Sequence, residues 1–168
     1  MSLEIVNNPI FVTLQDKGRY GYSYIGVTNS GVMDEYAYLC ANKMLGNSLE
    51  TNILEIAFSN VIFKANASTV ICITGAVCEF FINDIAKNCW QTHNIQKDDI
   101  IKIGKIINGN RVYLGIFGGF DIKKEFGSNS TTIKENLGGI TGTRLKKGDI
   151  LAFHKTKKIN KKFLKKEF

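Results

Sequence analysis

The sequence lacks the features that are typical of secreted, membrane and zinc-binding proteins. It contains one proline, Pro9, and four cysteines without a Cys-x-x-Cys pair. No apolar run reaches the roughly 18 residues that span a bilayer, and the first residues lack the order of a signal peptide. These absences argue against a disulfide scaffold and a membrane partner, and they predict a cytoplasmic protein whose cysteines are buried free thiols.

Several catalytic signatures are also missing. The sequence contains neither G-x-G-x-x-G nor G-K-[ST], so a P-loop or dinucleotide fingerprint is excluded. It lacks G-x-S-x-G, and His93 and His154 do not complete a catalytic triad. Cys89 with His93 is too small a set for zinc. We therefore exclude a serine hydrolase and a zinc enzyme, and we predict no metal site.

The positive charge of the chain is concentrated at one end. Seven lysines and one glutamate follow His154, so this segment carries +6 of the net +7. A nucleic-acid-binding body would instead carry a basic stripe on its folded surface, so we predict no nucleic-acid partner. We expect one domain over residues 1–153 and a basic linker or tail over 154–168. A membrane-surface or RNA-binding tail is the alternative, since Ile159, Phe163 and Leu164 share a helical face.

Short β-rich runs separated by turn residues recur along the chain, which is typical of a barrel or sandwich. The run from Thr69 to Thr74 is expected to end at Gly75. Residues 99–103 and 111–117 are expected to pair as a hairpin across Asn108-Gly109-Asn110.

One segment has a different period. Apolar residues recur every 3.6 positions from Met33 to Leu45, which predicts a helix. Asp34 can cap its first turn, and Gly46-Asn47 can end it. The chain is therefore predicted to be mainly β with one principal α-helix.

Polar residues cluster beside glycines at four places. Glycine lets a backbone approach a ligand closely and expose N–H groups to an anion, although one such cluster alone is also a common turn. The chain has only three arginines, so we expect them where a planar, bidentate donor is needed. The four clusters are Gln15-Asp16-Lys17-Gly18-Arg19, Ser30-Gly31-Val32-Met33-Asp34, Phe117-Gly118-Gly119-Phe120-Asp121 and Gly127-Ser128-Asn129-Ser130-Thr131.

Glu55 is a further candidate, because it lies inside an apolar strand. It is expected to share one face with Ile53 and Ala57. A carboxylate in that setting is desolvated unless a cation pairs with it. Two interpretations stay open: an ion pair with Arg19 or Arg111, or a role in proton transfer.

Taken in order, these motifs resemble the biotin-dependent carboxyltransferase-like family. That family includes the C-type subunit of bacterial 5-oxoprolinase and part of the carboxyltransferase domain of urea carboxylase. The resemblance spans about residues 3–153 and rests on Thr13-Leu14-Gln15-Asp16-Lys17-Gly18-Arg19, Gly26-Val27, Ser30-Gly31-Val32-Met33-Asp34, Ala41-Asn42, Gly46-Asn47, Leu54-Glu55, Thr74-Gly75-Ala76, Tyr113-Leu114, Gly118-Gly119-Phe120-Asp121, Gly127-Ser128-Asn129-Ser130-Thr131, Gly138-Gly139 and Gly148-Asp149.

The resemblance implies a cyclophilin-like β-barrel and a complex with sister subunits of the A and B types. For the 5-oxoprolinase branch it implies ATP-dependent opening of the 5-oxoproline lactam to glutamate, with ATP supplied through the complex. Family members are about twice as long, so the chain is expected to be a truncated N-terminal half that is inactive alone. The alternatives are a urea-carboxylase-type carboxyltransferase that uses biotin, and a non-catalytic regulatory module.

The resemblance also assigns the site by position. Asp16, Arg19, Asp34 and Glu55 are the candidate catalytic residues: Arg19 for anion stabilisation, both aspartates for substrate or metal contacts, and Glu55 for proton transfer. Asn129 stands where the family usually has arginine, which removes a fixed positive charge from that loop. Substrate or anion contacts are further expected at Gln15, Asn42, Gly118, Gly119, Ser128, Ser130 and Thr131.

Overall fold

A computed structural model describes residues 1–58, 60–154 and 162. Within them the chain forms nine strands, one α-helix and two 3-10 helices. In chain order the strands and the helix are β1 (Ser2–Ile5), β2 (Phe11–Gln15), α1 (Glu35–Leu45), β3 (Ile53–Ala57), β4 (Val61–Ala65), β5 (Thr69–Ile82), β6 (Ile85–Ala86), β7 (Thr92–Ile95), β8 (Ile100–Ile116) and β9 (Ile150–Ala152). The 3-10 helices are Ser23–Ile25 and Ile133–Glu135.

All strands belong to one antiparallel sheet, which curls into a half-barrel. Its main path is β2-β3-β8-β4-β1-β9, and β5 pairs with β6, β7 and β8. Strand β8 pairs with β4 through residues 100–103 and with β3 through residues 111–114. Strand β5 pairs with both halves of β8. The long β5–β8 ribbon therefore bends, and this bend gives the sheet its curvature. The prediction of a mainly-β fold with one principal helix is confirmed.

Two sequence-based expectations about this ribbon are wrong. Residues 99–117 do not form a hairpin, because Asn108-Gly109-Asn110 continues strand β8 opposite β5, with Asn108 paired to Val77. Strand β5 likewise runs on past Gly75 to Ile82. The register shifts between Gly75 and Phe80 accommodate the positive φ angles of Gly75 and Gly109 within the paired ribbon.

The inside of the half-barrel is apolar, because alternate strand residues point into it. Leu54 and Ile56 of β3 are completely buried there, as are Val112 and Leu114 of β8. The intervening residues of the same strands face the other side of the sheet. That side is where α1 packs.

Helix α1 covers the outer face of the sheet. Its buried residues Ala41 and Leu45 form a second apolar cluster with Ile53, Cys72 and Tyr113. The helix begins at Glu35 rather than Met33, because Asp34 is extended and its side chain accepts the Ala37 N–H at 3.0 Å. The helix ends at Gly46, which has the left-handed conformation.

The basic segment lies almost entirely outside the described residues. Of the predicted linker or tail over 154–168, only His154 and Lys162 are described, so the expected helical face of Ile159, Phe163 and Leu164 falls outside them as well. Among the helices of the described part, none is long and apolar enough to cross a membrane.

Candidate functional site

A row of polar side chains crosses the sheet beneath the N-terminal half of α1. Thr13 of β2 pairs with Glu55 of β3, Glu55 with Tyr113 of β8, and Tyr113 with Thr74 of β5. Directly paired residues of antiparallel strands place their side chains on the same face. The row is tied to the helix, since the Thr74 hydroxyl donates to the Ala37 carbonyl at 2.9 Å.

Glu55 is buried at the centre of this row. Its Oε2 accepts the Met33 N–H at 2.9 Å and the Tyr113 hydroxyl at 2.8 Å. Its Oε1 lies 3.4 Å from Nε of Arg111. Of the two interpretations left open above, the structure therefore contains the ion pair, and the partner is Arg111.

Tyr113 holds the start of the helix against Glu55. Its hydroxyl donates to Glu55 and accepts the N–H of Asp34 at 2.8 Å. Burial raises the pKa of Tyr113 well above its ordinary value, and the Glu55 carboxylate acts in the same direction. Tyr113 is therefore a neutral hydrogen-bond donor at physiological pH.

An open cleft of about 570 Å³ adjoins the Glu55–Arg111 pair. The Arg111 side chain is 29% exposed at its edge, whereas that of Glu55 is only 6% exposed. Gly75 is required here, because a Cβ would lie 2.4 Å from the Arg111 carbonyl. The cleft is lined by Met33, Asp34, Gly75, Ala76, Val77, Asn108, Gly109, Asn110 and Arg111.

Asp16 lies in a second polar region, where it organises the protein itself. Its Oδ1 accepts from Gly18 N–H at 2.8 Å and from the hydroxyls of Ser128 and Ser130, both at 2.6 Å. Its Oδ2 accepts the Asn129 N–H at 2.7 Å. The carboxylate therefore binds a chain segment more than a hundred residues away.

Arg19 completes this region, and its guanidinium is also directed at protein oxygens. It donates to the Thr132 hydroxyl, to the Ser130 carbonyl and, at 3.5 Å, to the Glu125 carbonyl. Arg19 is 1% exposed. Burial lowers its pKa, and nearby Asp16 acts in the opposite direction. We call Asp16, Arg19, Ser128, Ser130 and Thr132 the closed cluster.

The segment from Asn29 to Asp34 connects the closed cluster to the cleft. Its Asn29 carbonyl accepts the Arg19 N–H at 2.7 Å, and its Val32 N–H donates to the Asp16 carbonyl at 3.1 Å. Just beyond Val32, Met33 and Asp34 reach Glu55 and Tyr113. One short loop thus fixes the distance between the two polar regions.

Gln15 and Thr131 lie between the two regions. The Gln15 amide donates to the Thr13 hydroxyl at 3.1 Å and to the Thr131 carbonyl at 3.2 Å. The Thr131 hydroxyl is buried without a hydrogen-bond partner among the residues that the structure describes.

Gly118, Gly119 and Asn42 belong to the far end of α1. The Gly118 N–H donates to the Asn47 side chain at 2.8 Å, and Gly119 N–H donates to the Ile116 carbonyl at 3.1 Å. Asn42 is completely buried and donates to the Thr51 carbonyl at 2.9 Å. An eleven-residue helix extends about 16 Å, so these groups are remote from Asp34 at its start.

The structure thus divides the predicted site residues into three sets. Asp34 lines the cleft, and Glu55 lies behind it against Arg111. Asp16, Arg19, Ser128 and Ser130 belong to the closed cluster, with Gln15 and Thr131 beside it. Asn42, Gly118 and Gly119 lie at the C-terminal end of α1. Sequence reasoning named Arg111 only as a partner for Glu55 and did not single out Tyr113. The alternation Arg111-x-Tyr113 in a strand, matching Glu55-x-Ala57 in its neighbour, is the signal that could have found both.

Metal binding has no support in the described part of the chain. No group of three or more histidine, cysteine, aspartate or glutamate side chains there could hold an ion. The cleft instead offers a guanidinium, the side chain of Asp34 and the amides of Asn108 and Asn110. These groups suit a small polar organic molecule.

The protein is thus a half-barrel that carries an open cleft, and at the edge of this cleft the buried carboxylate of Glu55 pairs with the guanidinium of Arg111. Residues 25–167 match the family described as "Carboxyltransferase domain, subdomain A and B", and the chain belongs to this family.

Curated relatives agree with that placement. The chain is 37% identical over 153 residues to urea amidolyase of Saccharomyces cerevisiae, and the match covers 89% of this chain and 8% of that protein. It is 31% identical over 156 residues to the C-type subunit of 5-oxoprolinase from Escherichia coli, and that match covers 93% of this chain and 50% of the relative. The chain therefore spans about half of the bacterial relative and a small part of the yeast protein.

A crystal structure of urea amidolyase from Kluyveromyces lactis superimposes with a TM-score of 0.87. The identity is 35%, and the match covers 90% of this chain and 9% of that one. The half-barrel and its helix are therefore a shared fold of this family.

Proposed function

We propose that the chain is a component of an ATP-dependent 5-oxoprolinase and that its cleft binds the lactam substrate, 5-oxoproline. The observation that carries the proposal is the cleft beside the Glu55–Arg111 pair. The match to the C-type subunit of 5-oxoprolinase over 93% of the chain supports the same substrate.

The chemistry of the cleft fits a compact amide. A lactam presents a carbonyl acceptor and an N–H donor, and 5-oxoproline adds a carboxylate. Arg111 offers planar donors to either acceptor, and Asn108 and Asn110 line the same wall. Since Glu55 is already bonded to Met33 and Tyr113, it holds the guanidinium in place rather than competing for the ligand.

This arrangement supports binding and charge stabilisation. As the lactam opens, negative charge develops on its carbonyl oxygen, and a fixed donor lowers the barrier most where that charge appears. In this proposal Arg111 is the donor and Glu55 its positioning residue. The closed cluster, including Arg19 and Asp16, positions the loop that supplies Met33 and Asp34.

Nucleotide binding is assigned to sister subunits of the A and B types in this proposal. The chain carries no P-loop or dinucleotide fingerprint. The cleft would then receive the substrate while ATP is held by the complex. This division predicts that the chain by itself releases no glutamate.

The test is reconstitution of the chain with candidate A-type and B-type subunits. We expect glutamate release that requires both ATP and 5-oxoproline and that disappears when this chain is omitted. Intact association with the partners but no glutamate would overturn the proposal in favour of a regulatory module. A matched reaction without ATP is the control for spontaneous lactam hydrolysis.

A second candidate is a urea-carboxylase-type carboxyltransferase that accepts a carboxyl group from biotin. The observation in its favour is identity: 37% to urea amidolyase of Saccharomyces cerevisiae against 31% to the bacterial relative. The assay for this candidate adds a biotin carboxylase, a biotinylated carrier, bicarbonate and ATP to the chain. Urea-dependent ATP consumption that requires the chain, with no turnover of 5-oxoproline, would select it. A urea-like acceptor would use the same donors in the cleft.

A further inference from the structure

Two cysteines lie side by side at the apolar inside of the half-barrel, where Cys78 belongs to the buried cluster and Cys89 packs against it. The Sγ atoms of Cys78 and Cys89 are 3.8 Å apart, and neither belongs to a disulfide. Cys78 is in β5, directly after the cleft-lining residue Val77, and is 9% exposed. Cys89 lies in the turn between β6 and β7 and is half-buried.

The two sulfurs are close, but they are not yet at bonding distance. A disulfide needs a separation of about 2.05 Å, so the two atoms must come closer by roughly 1.8 Å. Cys78 is paired with Ile106, and the register of the β5–β8 pairing shifts on both sides of that pair, so the ladder is irregular at this residue. Cys89 lies outside the ladder, in the segment between β6 and β7.

We propose that oxidation by hydrogen peroxide joins Cys78 and Cys89 in a reversible intramolecular disulfide. This modification is independent of the substrate assigned above, since it requires only the two thiols and the oxidant.

The two steps balance in atoms and electrons. The Cys89 thiolate attacks one peroxide oxygen, which gives a sulfenic acid and a hydroxide that takes up the released proton as water. The Cys78 sulfur then displaces hydroxide from that sulfenic sulfur, and the thiol proton leaves with it as a second water. Two thiols lose two electrons in total, and the peroxide gains them.

The electrostatics favour this order of attack. A hydrogen bond with Cys78 lowers the pKa of Cys89, and the same bond raises the pKa of Cys78. Cys89 is also the more exposed of the two, which suits the residue that meets the oxidant first. By contrast, burial raises the pKa of Cys72 to about 12, so that thiol is expected to be inert.

The bond would connect strand β5 to the segment between β6 and β7. Cys89 precedes Trp90, whose N–H donates to the Ile73 carbonyl at 2.6 Å and whose ring lies 6.1 Å from that of Tyr36 on α1. Oxidation would therefore add a covalent link to β5 directly after Val77, which lines the cleft.

The test uses the reduced full chain and a stoichiometric amount of hydrogen peroxide. We expect the denatured thiol count to fall from four to two, the intact mass to fall by about 2 Da, and peptide mapping to link Cys78 with Cys89. Trp90 is the single tryptophan, and a disulfide beside an indole quenches its fluorescence, so emission should fall and recover with reductant.

Variants separate the proposed order from general thiol oxidation. C78S should stop at a Cys89 sulfenic acid that dimedone traps, C89S should lose fast oxidation, and C40S should behave as the native chain does. A thiol count that stays at four would overturn the proposal. Bridges that involve Cys40 or Cys72, bridges between chains, or a C89S variant oxidised at the native rate would overturn it as well.

Discussion

The closed cluster and the cleft each contain a carboxylate and a guanidinium, but only Glu55 and Arg111 at the cleft form an ion pair, whereas Asp16 and Arg19 each bind other groups of the protein. In the closed cluster, Asp16 accepts four hydrogen bonds and Arg19 is 1% exposed. In the cleft, Glu55 is buried as well, but the Arg111 side chain remains 29% exposed beside open volume. Arg111 can therefore still donate to a ligand, whereas the groups of the closed cluster are already bonded to the protein.

This difference in exposure between the two arginines follows from the part of the protein that each carboxylate binds. Asp16 and Arg19 bind the segment from Glu125 to Thr132 along the edge of β2, and this segment contributes few apolar side chains of its own. Glu55 lies within a sheet whose strands are already paired on both sides. Its contacts can therefore orient a neighbour instead of closing the fold.

The largest expected effect is loss of stability when the closed cluster loses its carboxylate. Asp16→Ala leaves two hydroxyls and two backbone N–H groups without their hydrogen-bond acceptor in a buried site. We therefore expect the free energy of unfolding to fall by about 3–5 kcal/mol. Urea denaturation measures the change. Asp121→Ala is the matched control, because that side chain is 63% exposed and should change stability by at most about 0.5 kcal/mol.

If Asp16→Ala does not fold, Asp16→Asn provides the measurement, because the amide keeps one acceptor and the same shape. Equal stabilities for the asparagine variant and the native chain would contradict the structural role of the cluster.

Replacing each of these two arginines by lysine should affect activity at the cleft and stability at the closed cluster. Arg111→Lys is expected to lower kcat/KM of the reconstituted complex by about 10- to 100-fold, because lysine cannot supply a planar pair of donors, with little change in stability. Arg19→Lys should lower stability first, since three protein oxygens lose their donor geometry. Steady-state kinetics beside urea denaturation measures both.

The opposite pattern of stability and activity in these two variants would place the substrate site at Arg19 instead of Arg111. A stable Arg19→Lys variant that loses activity by orders of magnitude would return Arg19 to the chemistry, and an unaffected Arg111→Lys variant would remove Arg111 from it.

The smallest effect concerns Tyr38, a helix residue near Asp16. Its hydroxyl is buried without a hydrogen-bond partner among the described residues. Burial raises its pKa, and nearby Asp16 adds to the shift. The folded chain therefore keeps a proton that an unfolded tyrosine releases at about pH 10, so stability is unaffected below that pH and falls above it.

Tyr38→Phe should reduce the alkaline loss by at most about 1.4 kcal/mol per pH unit and change stability little at pH 7. Chemical denaturation between about pH 9 and 11 measures the slope around the ordinary tyrosine pKa. Tyr24→Phe is the control, because Tyr24 is 82% exposed. Equal slopes for native chain and Tyr38→Phe would contradict the shift.

The sequence predicted the fold better than the site, for a physical reason. The apolar run around Glu55 and the helical period before Gly46 are local signals, and a strand and a helix formed there as expected. The continuous strand β8 was missed, because Asn108-Gly109-Asn110 has the composition of a turn and only its partner β5 keeps it extended. The two halves of that strand therefore looked like separate strands.

For the site, local patterns could find charged residues but not how the protein satisfies them. Asp16 and Arg19 look like ligand-binding residues until residues 128–132 arrive from the far side of the chain. Glu55 was correctly placed in a buried strand, whereas choosing between Arg19 and Arg111 as its partner needed the strand register. The roles predicted for these residues remain predictions.

The irregular pairing of β5 with β8 also has an evolutionary consequence. Val77 and Ile107 lie beside the register shifts and are 50% and 65% exposed, so their side chains are not part of the core. Substitutions at such positions alter the surface around the cleft while the buried residues Leu54 and Leu114 keep their partners. The surface around the cleft of this chain can therefore change along one ribbon at little thermodynamic risk to the scaffold.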